Sequence, residues 1–169
     1  MEVKELVLKS LEQSQRYIDK ALDGLTKAEF KWRPGPECNN IAFLFWHIIR
    51  VEDMVINTTI QSIEEVYESE SWREKLGTPP KVSGGRYTVE QIQTWPTPPQ
   101  VMLQEYAKAV RQNTIAYLNS ISAEQLSEMP RSDRFPGSIG NVLGFMITEI
   151  AIHVGHITYL RGIQRGLDK

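Results

Sequence analysis

Between Ser138 and Gly166 the sequence carries an apolar stripe of helical period, interrupted by ionisable residues where core residues are due. Val142, Met146, Ile150, Ile157 and Leu160 follow one another at steps of four, four, seven and three, the spacing of one buried helix face. Glu149 and His153, four apart, fall within that stripe, and His156 projects to nearly the same side. Burying a carboxylate and an imidazole costs about 2 kcal/mol or more each unless they are paired or ligated. A divalent cation offsets that cost, because glutamate oxygen and histidine nitrogen are both good ligands. The remaining histidine, His47, lies in a second apolar helical pattern, Ile41 to Met54. All three histidines of the chain therefore fall in two apolar helices, and none in a polar loop or tail.

Bland readings stand beside this one. His47 can be a core histidine satisfied by a backbone carbonyl or a tyrosine. Glu149 and His153 can be an exposed intrahelical pair, worth about 0.2–0.5 kcal/mol. His156 is the alternative to His153 as a ligand, or its hydrogen-bonding partner.

Two further helices complete the pattern. The first is predicted over Val3–Leu25, with Leu6, Leu8, Leu11, Tyr17, Ile18, Ala21 and Leu22 on its stripe. Thr26–Glu29 has the form of a capping box that opens a short turn. Trp32–Pro36 then breaks the chain, and Asn39 or Asn40 caps the second helix, Ile41–Ile63. The third helix is predicted over Pro98–Ser120, with Val101, Tyr106, Val110, Ile115 and Leu118 facing inward. A capping-box-like signal at Ser122–Gln125 follows, and Ser138 caps the fourth helix, Ile139 to about Gly166. From Gly77 to Gln100 the periodicity dissolves among prolines and glycines, with short turns predicted at Ser69–Lys75 and Val89–Thr94. A loop that long is either a crossover between helices or a functional segment that lines a site or an interface. Gly84-Gly85 is a lone pair, not a phosphate-binding loop. No alternation of period two is sustained, so the expected fold is an all-α four-helix bundle, one domain over residues 1–169, with a long crossover between helices two and three.

Composition narrows the function. A net charge of −2 makes no electrostatic case for nucleic acid. No uninterrupted apolar run approaches the roughly 20 residues that span a bilayer, and Met1–Glu5 lacks the form of a signal peptide. With a single cysteine, Cys38, no internal disulfide forms, which agrees with a cytoplasmic location. The loop setting of Cys38, beside Arg33, makes it a weak candidate for a reactive thiol. Phe45, Trp46, Ile49 and Ile56 exceed what one bundle seam needs, so a homodimer is expected.

Trp32-Arg33-Pro34 followed by Ile41–Asp53 resembles the second-helix signature of the DinB-like superfamily. Ser138–Leu143 followed by Glu149-x-x-x-His153-x-Gly155-His156 and Tyr159-Leu160-Arg161-Gly162 resembles its fourth-helix signature. The resemblance implies an up-down-down-up bundle with a divalent metal near one end. It also implies ligands from a histidine on helix two and a His-x-x-x-His pair on helix four. Here Glu149 stands in place of the first histidine of that pair, and His153, with Gly155 behind it, matches the second. Mycothiol-dependent maleylpyruvate isomerases, in the same superfamily, are understood to use a His, Glu, His set. The resemblance thus implies His47, Glu149 and His153 as ligands to zinc, nickel or iron.

Three protein ligands with an open position describe a catalytic rather than a structural metal site. Such a site suits hydrolysis by activated water or activation of a thiol cosubstrate. Tyr159, Arg50 and Arg161 are candidate helpers for an anionic substrate. The expected function is a metal-dependent thiol S-transferase or hydrolase acting on a small molecule. The rival is a non-enzymatic metal-binding stress-response bundle acting through protein partners.

Overall fold

The structure is a computed structural model that describes residues 3–80, 83–85, 87–133 and 135–166. Met1 and Glu2, on which the reading of the N-terminus partly rests, lie outside them. Among the described residues there is no strand. Helix α1 spans Val3–Leu22 and buries Val7, Leu11, Ser14, Ile18, Ala21 and Leu22. Leu6 and Tyr17, expected on that face, are 50% and 52% exposed. The Val7-Leu11-Ser14-Ile18 line takes the core, and those two flank it. The helix stops three residues short of Leu25 because Gly24 takes φ +62, the left-handed conformation that ends helices. Thr26 then caps α2 (Lys27–Lys31) with the full reciprocal box to Glu29. Arg165 from the far end of the chain grips the same carboxylate at 2.6 Å.

Helix α3 (Ile41–Asp53) is capped by Asn40, whose side chain accepts from the Phe43 N–H at 2.8 Å. Every one of its 13 residues is buried. The sequence reading continues it as a regular helix to Ile63. Instead the chain widens into a π-helix over Met54–Gln61 and stops at Ser62, which takes φ 56. At that junction stands Asp53, fully buried. Its carboxylate accepts from the backbone N–H groups of Val66 and Tyr67 at 2.9 and 2.8 Å, opening helix α4 (Val66–Ser69) from a distance. It also accepts from Asn57 at 2.8 Å and from the Tyr106 hydroxyl at 2.7 Å. Arg50, 1% exposed, lies 2.5 Å from Glu65 and 3.4 Å from Asp53, with its guanidinium over the Tyr67 ring. Burial pushes the Asp53 carboxyl up, and the bonds from Tyr106, Asn57 and Tyr67 and the charge of Arg50 only partly pull it back. Asn57 is therefore a buried strut of this network.

Helix α5 (Trp72–Leu76) and helix α6 (Val89–Thr94) punctuate the crossover. Helix α7 spans Gln100–Ser120 and buries Leu103, Tyr106, Val110, Thr114 and Leu118. Val101 and Ile115, expected inside, are 57% and 39% exposed. The strict i,i+4 progression through Tyr106 and Val110 carries the face onto Thr114, a polar residue that apolar matching passes over. The box at Ser122 forms and leads into a 3₁₀ turn, Gln125–Ser127. Helix α8 (Ile139–Arg165) begins at the Ser138–Asn141 box and buries all five residues of the stripe that opened the sequence reading.

The helix directions follow from cross-links. Gln100 on α7 bonds Leu22 of α1, and Arg111 bonds Leu11, so α1 and α7 are antiparallel. Arg165 of α8 bonds Gly24, just past the end of α1, so α1 and α8 run together. His47 meets Glu149, while Ile60 meets Arg131 just ahead of α8, so α3 opposes α8. The result is an up-down-down-up bundle, and the long crossover is what lets α3 and α7 run in parallel. Buried pairs lock the seams, notably Arg111 doubly bonded to Glu52 at 2.8 and 2.9 Å.

The apolar surplus of α3 is consumed inside the chain. Phe45, Trp46, Ile49 and Ile56 are 1%, 0%, 4% and 0% exposed. Trp46 packs against Tyr87 and Trp95 of the crossover. Helix α8 is, by length and composition, apolar enough to cross a membrane, which no single uninterrupted run in the sequence shows. Here its stripe is bundle core.

Candidate metal centre

Three helical positions converge between α3 and α8. His47, Glu149 and His153 each offer a ligand atom, and these atoms lie within 4.8 Å of one another. His47 Nε2 is 3.4 Å and His153 Nε2 is 3.2 Å from the same oxygen, Glu149 Oε1. The two imidazoles meet edge to face with centroids 4.7 Å apart. Helix geometry explains the meeting. Glu149 and His153 are one turn apart on α8, beside the core residues Met146, Ile150 and Val154. His47 sits at mid-length of the wholly buried α3, which opposes them.

Burial is graded across the cluster. The side chain of His47 is 9% exposed, that of His153 19% and that of Glu149 28%. The centre therefore closes on the α3 side and opens on the α8 side. Burial holds the His153 imidazole below its usual range, the neighbouring His47 lowers it further, and the Glu149 carboxylate works against both. A neutral imidazole is the form that ligates metal.

The hydrogen bonds fix which nitrogen of His47 is free. Its Nδ1 faces the backbone carbonyl of Ser83, from the crossover. A carbonyl oxygen only accepts, so Nδ1 carries a proton, and in the neutral imidazole Nε2 then presents a lone pair. That lone pair points at a carboxylate oxygen, which also only accepts. Two acceptors directed at one another are repulsive unless a proton or a cation lies between them. The donor set of two imidazole nitrogens and one carboxylate oxygen fits a zinc-like cation, and three protein ligands leave a position open.

The other candidates lie elsewhere. His156 is exposed, and its Nδ1 is 3.3 Å from His153 Nδ1, so it contacts a cluster residue from outside. Tyr159 is 70% exposed and sits about 80° around the helix from Glu149, at about 100° per residue. Arg50 is committed to the Glu65 and Asp53 network and offers no charge to the centre. Arg161 lines a cleft between α1 and α8 with Tyr17 and Lys20, away from the three residues of the cluster. Cys38 is free and exposed, and Arg33 bonds its carbonyl rather than its sulfur. The Ser83 carbonyl has no counterpart among the sequence-predicted site residues, because a backbone carbonyl leaves no mark in a side-chain pattern. The one visible signal was a glycine pair inside a proline-rich segment.

Comparison with known proteins agrees with this architecture. A solved structure described as a conserved protein from Enterococcus faecalis superposes with a TM-score of 0.85 at 24% identity, covering 96% of this chain and 97% of that one. At that identity the likeness speaks for the fold alone. No curated protein matches the chain. A family profile, that of the DinB superfamily, matches residues 10–157. The chain belongs to the DinB superfamily.

Proposed function

We propose that this protein is a divalent-metal-dependent enzyme that activates a small nucleophile, as a thiol S-transferase or a hydrolase. The observation that carries this reading is the convergence of three ligand atoms within 4.8 Å of one another, with His47 Nε2 and His153 Nε2 on the same Glu149 oxygen inside a part-buried cluster. Membership of the DinB superfamily supports it. His47, Glu149 and His153 would hold the ion. When bound, the ion would supply Lewis-acid stabilisation of an anionic nucleophile, from water or a thiol. Glu149 lowers the net charge of the centre by one relative to three neutral imidazoles. His47 and the residues around it exclude water from the α3 side, so a substrate reaches the centre across α8. Exposed His156, in contact with His153, stands on that approach and can accept or deliver a proton there. The test is turnover of the metal-loaded protein with a low-molecular-weight thiol and an electrophile, against ester or amide hydrolysis without thiol. Thiol-dependent loss of the electrophile supports transfer, and release of product without thiol supports hydrolysis. Neither, in protein with full metal occupancy, contradicts an enzyme of this kind.

A second reading has its own support. The roomy clefts of about 610 and 480 Å³ lie along the α1–α8 groove, and neither is lined by a residue of the cluster. That favours a metal-binding bundle without a substrate cavity at the ion, acting through partners, and the same turnover assay separates the two.

A further inference from the structure

The crossover does more than connect α3 to α7. Where it passes the centre, Gly84 is buried and takes φ +88, a conformation that side-chain-bearing residues rarely adopt. A Cβ built there would stand 2.8 Å from Phe43 Cζ and 2.8 Å from Trp46 Cζ3. Both distances are shorter than any real contact of that kind. Phe43 and Trp46 lie four residues and one residue before His47 on the same helix. The Phe43 ring is parallel to the His47 ring, at 2° with centroids 6.5 Å apart. Tyr87 and Trp95, further along the crossover, close on the same rings, with Phe43 5.6 and 5.3 Å from them. The turn is thus registered on the helix that carries His47, and the carbonyl preceding Gly84 is the one that meets Nδ1. Gly85, next in the chain, has room to spare: a Cβ there meets only Ser83 Oγ, at 3.9 Å.

We propose that the Ser83–Gly84 turn is a working part of the metal centre: the Ser83 carbonyl holds the Nδ1 proton of His47 so that Nε2 faces Glu149, and Gly84 is the positioning residue that puts the carbonyl there. This rests on reading the cluster as a metal centre. The physical logic is that a ligating imidazole is oriented, and its basicity raised, by the acceptor on its other nitrogen. Ordinarily a side-chain carboxylate or a local carbonyl does this. Here the acceptor comes from a segment 36 residues away in sequence, and a glycine lets it approach. A side chain at position 84 would lift the turn off the two rings and withdraw the acceptor. His47 would then be free to take the other tautomer or to rotate.

The test uses the full-length protein and two readouts. Long-range ¹H–¹⁵N correlation spectra of the metal-free protein at pH 8.5, above the ordinary titration range of imidazole, report the tautomer of His47. Zinc affinity, by competition with a chromophoric chelator, reports the ligand. The wild type is expected to show His47 protonated at Nδ1. Gly84→Ala is expected to lose that single tautomer and to bind zinc about 10- to 100-fold more weakly, with helical circular dichroism retained. Gly85→Ala and Ser83→Ala are expected to match the wild type, since the first has room and the second keeps the carbonyl. His47 protonated at Nε2 in the wild type overturns the proposal, and so does Gly84→Ala binding zinc as tightly as wild type. If Gly84→Ala does not fold, the wild-type tautomer and the Ser83→Ala control decide. Should the wild type bind no zinc, the metal reading fails. A Nδ1-protonated His47 that depends on Gly84 would then still establish the clamp.

Discussion

Removing the Asp53 carboxylate should cost this fold a large share of its stability. Four donors converge on it at 2.7 to 2.9 Å: the N–H groups of Val66 and Tyr67, the Asn57 amide and the Tyr106 hydroxyl. In Asp53→Ala all four lose their acceptor, and buried Arg50 loses its contact with Asp53 while keeping the one with Glu65. An orphaned buried donor costs about 1–3 kcal/mol, and breaking a buried charge pair costs about 3–5 kcal/mol. These terms overlap in one network and do not add, so the expected loss is about 4 kcal/mol. In a chain of this size 1 kcal/mol moves the melting point by about 2–4 °C, giving a fall of about 8–16 °C. Asp53→Asn keeps the shape and one acceptor oxygen but turns an NH₂ toward donors, and should fall between the two at about 2 kcal/mol. Thermal and urea melts followed by circular dichroism measure both. A melting point of Asp53→Ala within about 2 °C of wild type would show that the network is solvated and that the π-helix junction does not depend on it.

Other outcomes follow from the same geometry. Glu149→Gln keeps size but loses charge and should clearly weaken metal binding with the fold intact. Glu149→His, one turn from His153, should restore binding, and equal binding in wild type and Glu149→Gln would remove the carboxylate from the ligand set. Because the folded state holds His153 below its unfolded value, the unfolded chain binds more protons between those two values. Its contribution to metal-free stability is therefore present above about pH 6.5 and lost as pH falls through the folded value. Urea melts at pH 7.5 and 5 should show that slope, and His153→Gln should flatten it; an unchanged slope contradicts the assignment. For self-association, the exposed apolar side chains of α8, Phe145, Ile152, Tyr159 and Ile163, replace those first considered. Light scattering is expected to give the mass of two chains, and a mass near 19.4 kDa at all concentrations refutes it.

Much of this was legible in the sequence because helices announce themselves by period and caps. The box at Thr26, the cap at Ser138, one of the two asparagines offered as a cap, Asn40, and the five-residue stripe of α8 stand where the pattern put them. The helical spacing that carries Glu149 and His153 also explains why the two meet one partner from α3. Less legible were features that rest on packing or backbone. Nothing in Met54–Gln61 marks a π-helix, because its apolar residues suit either winding, and the buried carboxylate at its start, Asp53, finds its backbone partners 13 and 14 positions on. Arg50 looked like a free cation beside the site, since its partners Glu65 and Tyr106 lie in other elements. The surplus apolar face of α3 looked like an interface, because the crossover aromatics that cover its Trp46 are scattered among prolines. Gly84 looked like punctuation until the Phe43 and Trp46 rings were found against it.

The central claim is that His47, Glu149 and His153 form one metal site. The most direct measurement is elemental analysis of the purified protein, followed by titration of the chelator-stripped form with zinc, nickel and iron(II), for wild type and His47→Ala. The wild type is expected to hold about one ion per chain, with three protein ligands leaving one position open, and His47→Ala to lose affinity steeply with helical content unchanged. Substoichiometric metal in wild type that no titration raises, or equal binding in His47→Ala, would contradict it.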